Sequence, residues 1–292
     1  MIQRLSFEFF PANTEQGRRS LDRTRGRLTA YAPEFYSVTY GAGGSTRDRT
    51  FDAVAAIAAD AMPVAPHLSI GNDDHDTLRK LLDRYRDLGI NRIVALRGDV
   101  PSGMGSRRNV RYAAELVELI RSHSGNAFHI EVAAYPEAHP DAPSPDADLD
   151  FFHAKVSAGA NSAITQYFFN ADAYFDFVDR CRARGIDVPI VPGIMPITNF
   201  ANLVKFSDNC GAEIPRWIRL RLESHQDDPE SLTQFGTEVV TDLCRRLLAG
   251  GAPGLHFYTL NRARPSQAAP STTTSSASSP GVRKVSVART AT

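Results

Sequence analysis

The chain has 292 residues with 33 basic and 33 acidic side chains, and its net charge of zero argues against nucleic acid or an anionic membrane as its main partner. Hydrophobic content of 42% fits a soluble globular protein, and no apolar run reaches the roughly 18 residues of a membrane helix. Three scattered cysteines (Cys181, Cys210, Cys244) exclude a disulfide framework or a zinc cluster, and no signal-peptide pattern opens the chain, so a cytoplasmic location is expected.

Short β-type runs alternate with amphipathic stretches. Strands are predicted at Leu5–Phe10, Phe35–Thr39, Val64–Leu68, Arg92–Leu96, His129–Ala133, Ala163–Gln166, Val188–Val191 and Leu255–Tyr258. Helical patterns fill Glu15–Leu28, Thr46–Ala61, Thr77–Leu88, Val110–Arg121, Ala147–Ala158 and Ala171–Arg184, and a long insert runs from Asn199 to Ala249. Asp74 or Asp76 suits a helix N-cap, and Gly89, Gly159 and Gly185 close helices just before the next strand. Arg92-Ile93-Val94-Ala95-Leu96 is apolar on both faces, as a buried parallel strand requires. Eight strands alternating with helices predict a single (β/α)8 TIM barrel, in the α/β class, over residues 1–264, with extra helices before the last strand. No Gly-x-Gly-x-x-Gly follows the first strand, which disfavours a doubly wound sheet. Residues 265–292 are rich in Ser, Thr, Ala and Pro, with no acid and three basic residues (Arg283, Lys284, Arg289), and are expected to form a disordered tail.

In such a barrel, chemistry belongs at the C-terminal ends of the strands. Glu8 sits between phenylalanines on strand one, where burial raises a carboxyl pKa towards that of a general acid; an inward Glu paired with Arg is the equal alternative. Strand two leads into the glycine-rich Gly41–Gly44, strand three ends near His67, and strand four runs into Arg97-Gly98-Asp99 and a second loop with Gly103 and Gly105. Tyr135 to Pro140 follows strand five, and Gln166 with Tyr167, Phe168 and Phe169 follows strand six; an amide among aromatics suits a flat heteroaromatic ligand, although core packing explains the same rings. Arg262 brings a cation to the rim after the last strand. No metal motif and no Gly-x-Ser-x-Gly elbow occurs, and the Asp73–Asp76 run reads as helix capping. Carboxylates, amides, aromatics and phosphate-friendly loops suit a bound organic cofactor.

Ser6-Phe7-Glu8-Phe9-Phe10-Pro11, Thr39 to Gly44, Ala95 to Asp99, Ala133 to Pro140, Lys155 with Gly159-Ala160-Asn161, Ala163 to Gln166, Pro192 to Pro196 and His256 to Arg262 together resemble the bacterial 5,10-methylenetetrahydrofolate reductases, in order over about residues 1–262. The resemblance implies non-covalent FAD at the rim, reduced by NADH or NADPH, then passing hydride to methylenetetrahydrofolate in a ping-pong cycle that feeds methionine synthesis. By motif position, Glu8 would be the general acid and Asp99 a catalytic group near flavin and pterin. Thr39, His67, Leu96, Arg97, Gly98, Asp99, Tyr135, His139, Asp148 and Lys155 would contact FAD. Gln166, Asn202 and Arg262 would bind the folate, Asn202 standing where the family often has Gln. A homo-oligomer is also implied.

The family usually ends with a helix after the Leu-Asn-Arg motif, whereas Arg262-Ala263-Arg264-Pro265 leads into the tail here. An apolar seam is therefore expected beside the first and last strands, covered by the insert, the tail or another subunit. Two other functions compete: a flavin-free reductase passing hydride directly from nicotinamide, and a flavin or folate sensor without turnover.

Overall fold

The computed structural model describes residues 4–41, 46–69, 74–98 and 112–263. Asp99, Asp73, Gly43 and Gly44, the Gly103–Gly105 loop and residues 265–292 lie outside them.

The elements in order are β1 (Leu5–Phe9), α1 (Glu15–Leu28), β2 (Phe35–Val38), α2 (Arg47–Ala59), β3 (Val64–Ser69), α3 (His75–Asp87), β4 (Arg92–Leu96), α4 (Ala113–Ser124) and β5 (His129–Ala134). Then come α5 (Pro145–Ser157), β6 (Ser162–Thr165), α6 (Ala171–Ala183), β7 (Ile190–Val191), β8 (Gly193–Ile194), α7 (Phe200–Cys210), α8 (Arg216–Ser224), α9 (Pro229–Ala249) and β9 (Leu255–Tyr258). Local chemistry sets the boundaries. The Asp74 carboxylate accepts from Thr77 N at 2.7 Å to start α3, and Gly89, at φ 74°, takes the left-handed position that ends it. Between those ends, Leu78, Leu81, Leu82 and Tyr85 recur at helical spacing and are all buried against the sheet.

All strand pairs are parallel, in the order β7-β6-β5-β4-β3-β2-β1-β9-β8. This is a nearly closed α/β barrel, with nine strands where the sequence predicts eight. The seventh barrel position is split: Ile190–Val191 pairs with β6, and Gly193–Ile194 pairs with β9. Pro192 lies between them and has no N–H to continue a ladder, while its carbonyl accepts from His256 N at 3.0 Å. The next residue has to be glycine, since a Cβ there would lie 2.1 Å from the Thr165 carbonyl oxygen and 2.7 Å from the Tyr258 ring. The predicted insert is three helices, α7 to α9.

Outward-facing strand residues join the large core under the helices, whereas Phe35, Ala65, Val94 and Ile164 form a separate small cluster inside the barrel, with Leu96 against it. Below that layer, Glu131 is fully buried and bound by Arg4, Arg92, His129 and Ser162, with Glu34 bridging the two arginines. The expected seam at the first and last strands is closed, because Leu5, Phe7, Phe9, Leu255 and Phe257 are all buried. Large exposed apolar side chains lie beyond those strands, including Phe10, Phe206, Trp217 and Leu220.

Candidate active site

Parallel register carries polar side chains to one end of the barrel. Glu8 is in register with Ser37 on β2 and with Tyr258 on β9, so these three share the interior face. Glu8 Oε2 lies 3.4 Å from His67 Nε2 of β3 and 3.6 Å from His256 Nε2 of β9. His256 is anchored from behind, its Nδ1 lying 2.7 Å from Ser6 Oγ. Burial lowers the His67 pKa, with Glu8 opposing and His256 adding to the shift, so the imidazole stays neutral at neutral pH. Burial likewise pushes the Tyr258 phenol far up, and its hydroxyl donates to the Thr165 carbonyl at 2.7 Å. Among the described residues no Arg pairs with Glu8, which faces two imidazoles; the glutamate held by arginines is Glu131.

The ends of β4 and β5 assemble a second group. Lys155, on the last turn of α5, donates from Nζ to the Ala133 carbonyl at 2.6 Å and lies 6.0 Å from the centre of the Tyr135 ring. Burial lowers its pKa to about 8, Asp148 opposing and Arg97 adding to the fall. His139 packs edge-on to Tyr135 at 4.6 Å, and its backbone N–H donates to Asp148 Oδ2 at 3.2 Å. Burial, then Arg97, lowers the His139 pKa, while burial raises that of Asp148. Arg97 pairs with Asp141 at 2.6 Å. Five of the expected FAD contacts therefore gather into one cluster.

The other expected residues stand at the same rim. Thr39, Leu96 and Gly98 are half-buried at or just past strand ends. Gln166 is half-buried, its Oε1 accepting from Tyr167 N at 3.0 Å, and it lines a small cleft with Tyr135, Glu137, Tyr167 and Cys210. Asn202 on the first turn of α7 and Arg262 past β9 are exposed. Asp99 is outside the described residues, and among those described no group of three or more His, Cys, Asp or Glu could hold a metal. No helix among the described residues is long and apolar enough to cross a membrane.

Sequence reasoning missed several positions. Ser6 and His256 precede Glu8 and Tyr258 by two residues on their strands, and that strand period was the available signal. Asn261 holds the loop after β1, its Oδ1 accepting from Phe10 N at 2.9 Å and its Nδ2 donating to Phe10 O at 3.0 Å. Thr259 Oγ1 donates to the Glu8 carbonyl at 2.5 Å and fixes the backbone that presents the carboxylate.

The family model for methylenetetrahydrofolate reductase matches residues 2–271. The chain is 44% identical to the 5,10-methylenetetrahydrofolate reductase of Salmonella typhimurium, covering 90% of this chain and 88% of the relative. The Escherichia coli enzyme of the same name is 43% identical with the same coverage. Among solved structures, a Clostridium thermocellum protein described as binding two copies of 5-methyl-5,6,7,8-tetrahydrofolic acid superposes with a TM-score of 0.65. That likeness covers 92% of this chain and 93% of the other at 15% identity, and so speaks for the fold. The chain belongs to the methylenetetrahydrofolate reductase family, oxidoreductases of folate one-carbon metabolism.

Proposed function

We propose that the chain reduces 5,10-methylenetetrahydrofolate to 5-methyltetrahydrofolate with FAD as its bound cofactor and NADH or NADPH as electron donor, and so supplies methyl groups for methionine synthesis. The observation that carries the reading is the Glu8 carboxylate at the reacting end of the barrel, flanked by two buried imidazoles whose Nε2 atoms have no hydrogen-bond partner among the described residues. The reaction adds one hydride and one proton to the substrate. Glu8 protonates N10 as its bond to the bridging methylene breaks, leaving an iminium at N5 for the hydride to reach. The Gln166 amide, able to donate and accept, pairs with the edge of the pterin, and Asn202 and Arg262 meet the outer glutamate end of the folate.

The second cluster fits a flavin adenine dinucleotide. Arg97, His139 and Lys155 crowd together, and after burial the Arg97 charge is what further lowers the basicity of His139 and Lys155; a diphosphate relieves that repulsion. Lys155 and Arg97 would hold the phosphates, Asp148 and His139 the sugar hydroxyls, and Thr39, His67, Leu96, Gly98 and Tyr135 the remaining surface. Flavin, when bound, supplies the two-electron relay between nicotinamide and folate. The solved protein that shares the fold binds the product of this reaction, which is consistent with a folate site in the same barrel mouth.

The test is anaerobic absorption spectroscopy of the purified protein and its Glu8→Gln variant. A flavin spectrum should bleach with NADH in both, and recover on adding methylenetetrahydrofolate only where Glu8 is intact. Equal loss of both half-reactions in the variant would refute the acid role. A protein that stays colourless after FAD is added, yet oxidises NADH with the folate, would establish the flavin-free reductase instead.

A further inference from the structure

Three buried polar atoms without a hydrogen-bond partner belong to residues around the Glu8 carboxylate: Ser37 Oγ, His67 Nε2 and His256 Nε2. An unsatisfied buried polar atom costs stability, so three together mark a site set by function. Among the described residues, His256 alone of the three is tied down by a side chain behind it, through Ser6. The ring is fully buried and stacks near Phe35 at 6.2 Å, with Tyr258 edge-on at 5.3 Å, so it has little freedom to turn.

Resting on the acid role given to Glu8 above, we propose that His256 is the positioning residue for that acid. Its Nδ1–H donates to Ser6 Oγ, which leaves the Nε2 lone pair facing Glu8 Oε2 as an acceptor for the carboxylic acid proton. A neutral imidazole in that tautomer stabilises the protonated carboxyl and aims it, and the 3.6 Å gap closes to a hydrogen bond when substrate seals the site. Among the described residues, the titratable groups facing Glu8 are His67 from β3 and His256 and Tyr258 from β9, the last in turn facing Tyr135, Tyr167 and Cys210. Tyr258 donates its proton to the Thr165 carbonyl, and among the described residues no side chain bonds to His67 from behind, so His256 is the oriented acceptor.

The test compares Ser6→Ala, His256→Leu and His256→Gln with the parent. Removing the acceptor should withdraw support from the protonated carboxyl. The alkaline limb of the folate half-reaction is then expected about one pH unit lower in His256→Leu, with a roughly tenfold fall in rate at neutral pH. The KM for folate should stay within about twofold, and the flavin half-reaction should fall less than the folate one. His256→Gln, whose amide oxygen reaches the Nε2 position, should recover part of the shift, and Ser6→Ala should show a smaller shift in the same direction. Independently of turnover, nitrogen NMR of histidine-labelled protein should report an unprotonated His256 Nε2 at neutral pH, whose resonance moves in Glu8→Gln. A protonated Nε2, or pH profiles for folded Ser6→Ala and His256→Leu that overlay the parent, would overturn the inference and leave the acid role standing. Retention of folate reduction in Glu8→Gln would instead remove the acid role, and this inference with it.

Discussion

Glu131→Gln at the floor of the barrel tests how far the ion network, as opposed to apolar packing, holds the fold. The Glu131 side chain is 1% exposed; its Oε1 receives Arg92 and, at 3.2 Å, Arg4, and its Oε2 receives the Ser162 hydroxyl at 2.5 Å. Burial alone would raise the carboxyl pKa, but bonds from His129 and Ser162 and the charges of Arg4 and Arg92 outweigh it and bring the pKa from 4.5 to about 2. A folded-state pKa below the unfolded one contributes stability that is complete above the unfolded value and lost as pH falls through the folded value. The gap corresponds to about 3 kcal/mol at pH 7, of which about 2 kcal/mol is gone by pH 3. Glu131→Gln keeps the volume but leaves both guanidinium groups under-compensated, so a loss of about 3 kcal/mol and a melting temperature lower by roughly 10 °C are expected at pH 7. Urea unfolding of both proteins from pH 7 down to pH 3 isolates this group from the other carboxylates, because only the difference is read. The difference should shrink towards pH 3. A variant as stable as the parent at pH 7, or a difference that does not change with pH, would refute the reasoning.

The barrel closure and the proposed diphosphate cluster give two more tests. Gly193→Ala puts a Cβ 2.1 Å from the Thr165 carbonyl oxygen, so the β7–β8 crossing has to move; a loss of about 3 kcal/mol in urea unfolding is expected, and a neutral result would mean the strands close differently. Lys155, its pKa lowered to about 8 chiefly by burial, loses its charge as pH rises past that value. FAD affinity by fluorescence titration should then fall about tenfold between pH 8 and 9.5, and riboflavin, which has no phosphate, should show no such fall. Lys155→Met should abolish the pH dependence; an equal effect on both flavins would show that the lysine does not meet the phosphates.

What the sequence revealed and what it hid divide along the range of the interactions. Strand and helix positions follow from local periodicity and capping, which is why Gly89 ends α3 as predicted and Asp74, one of the two caps the sequence offers, starts it. The split seventh strand was hidden because Pro192 breaks one ladder while the barrel still closes, and closure depends on Gly193 approaching Thr165, 28 residues earlier. Glu8 was legible because a carboxylate among phenylalanines violates local expectation. Ser6 and His256 were not, since a serine and a histidine on a strand violate nothing until the 2.7 Å contact across 250 residues is known. The same holds for Glu131, which occupies an ordinary strand position yet collects charges from Arg4 and Arg92. Parallel pairing of β1 with β9 turns these separate two-residue periods into one surface: Ser6 meets His256 in register, Glu8 meets Tyr258 one step higher, and the acid stands on its own support. On the proposed acid role, the barrel places its proton donor by strand register alone, with the loops left to bind what receives the proton.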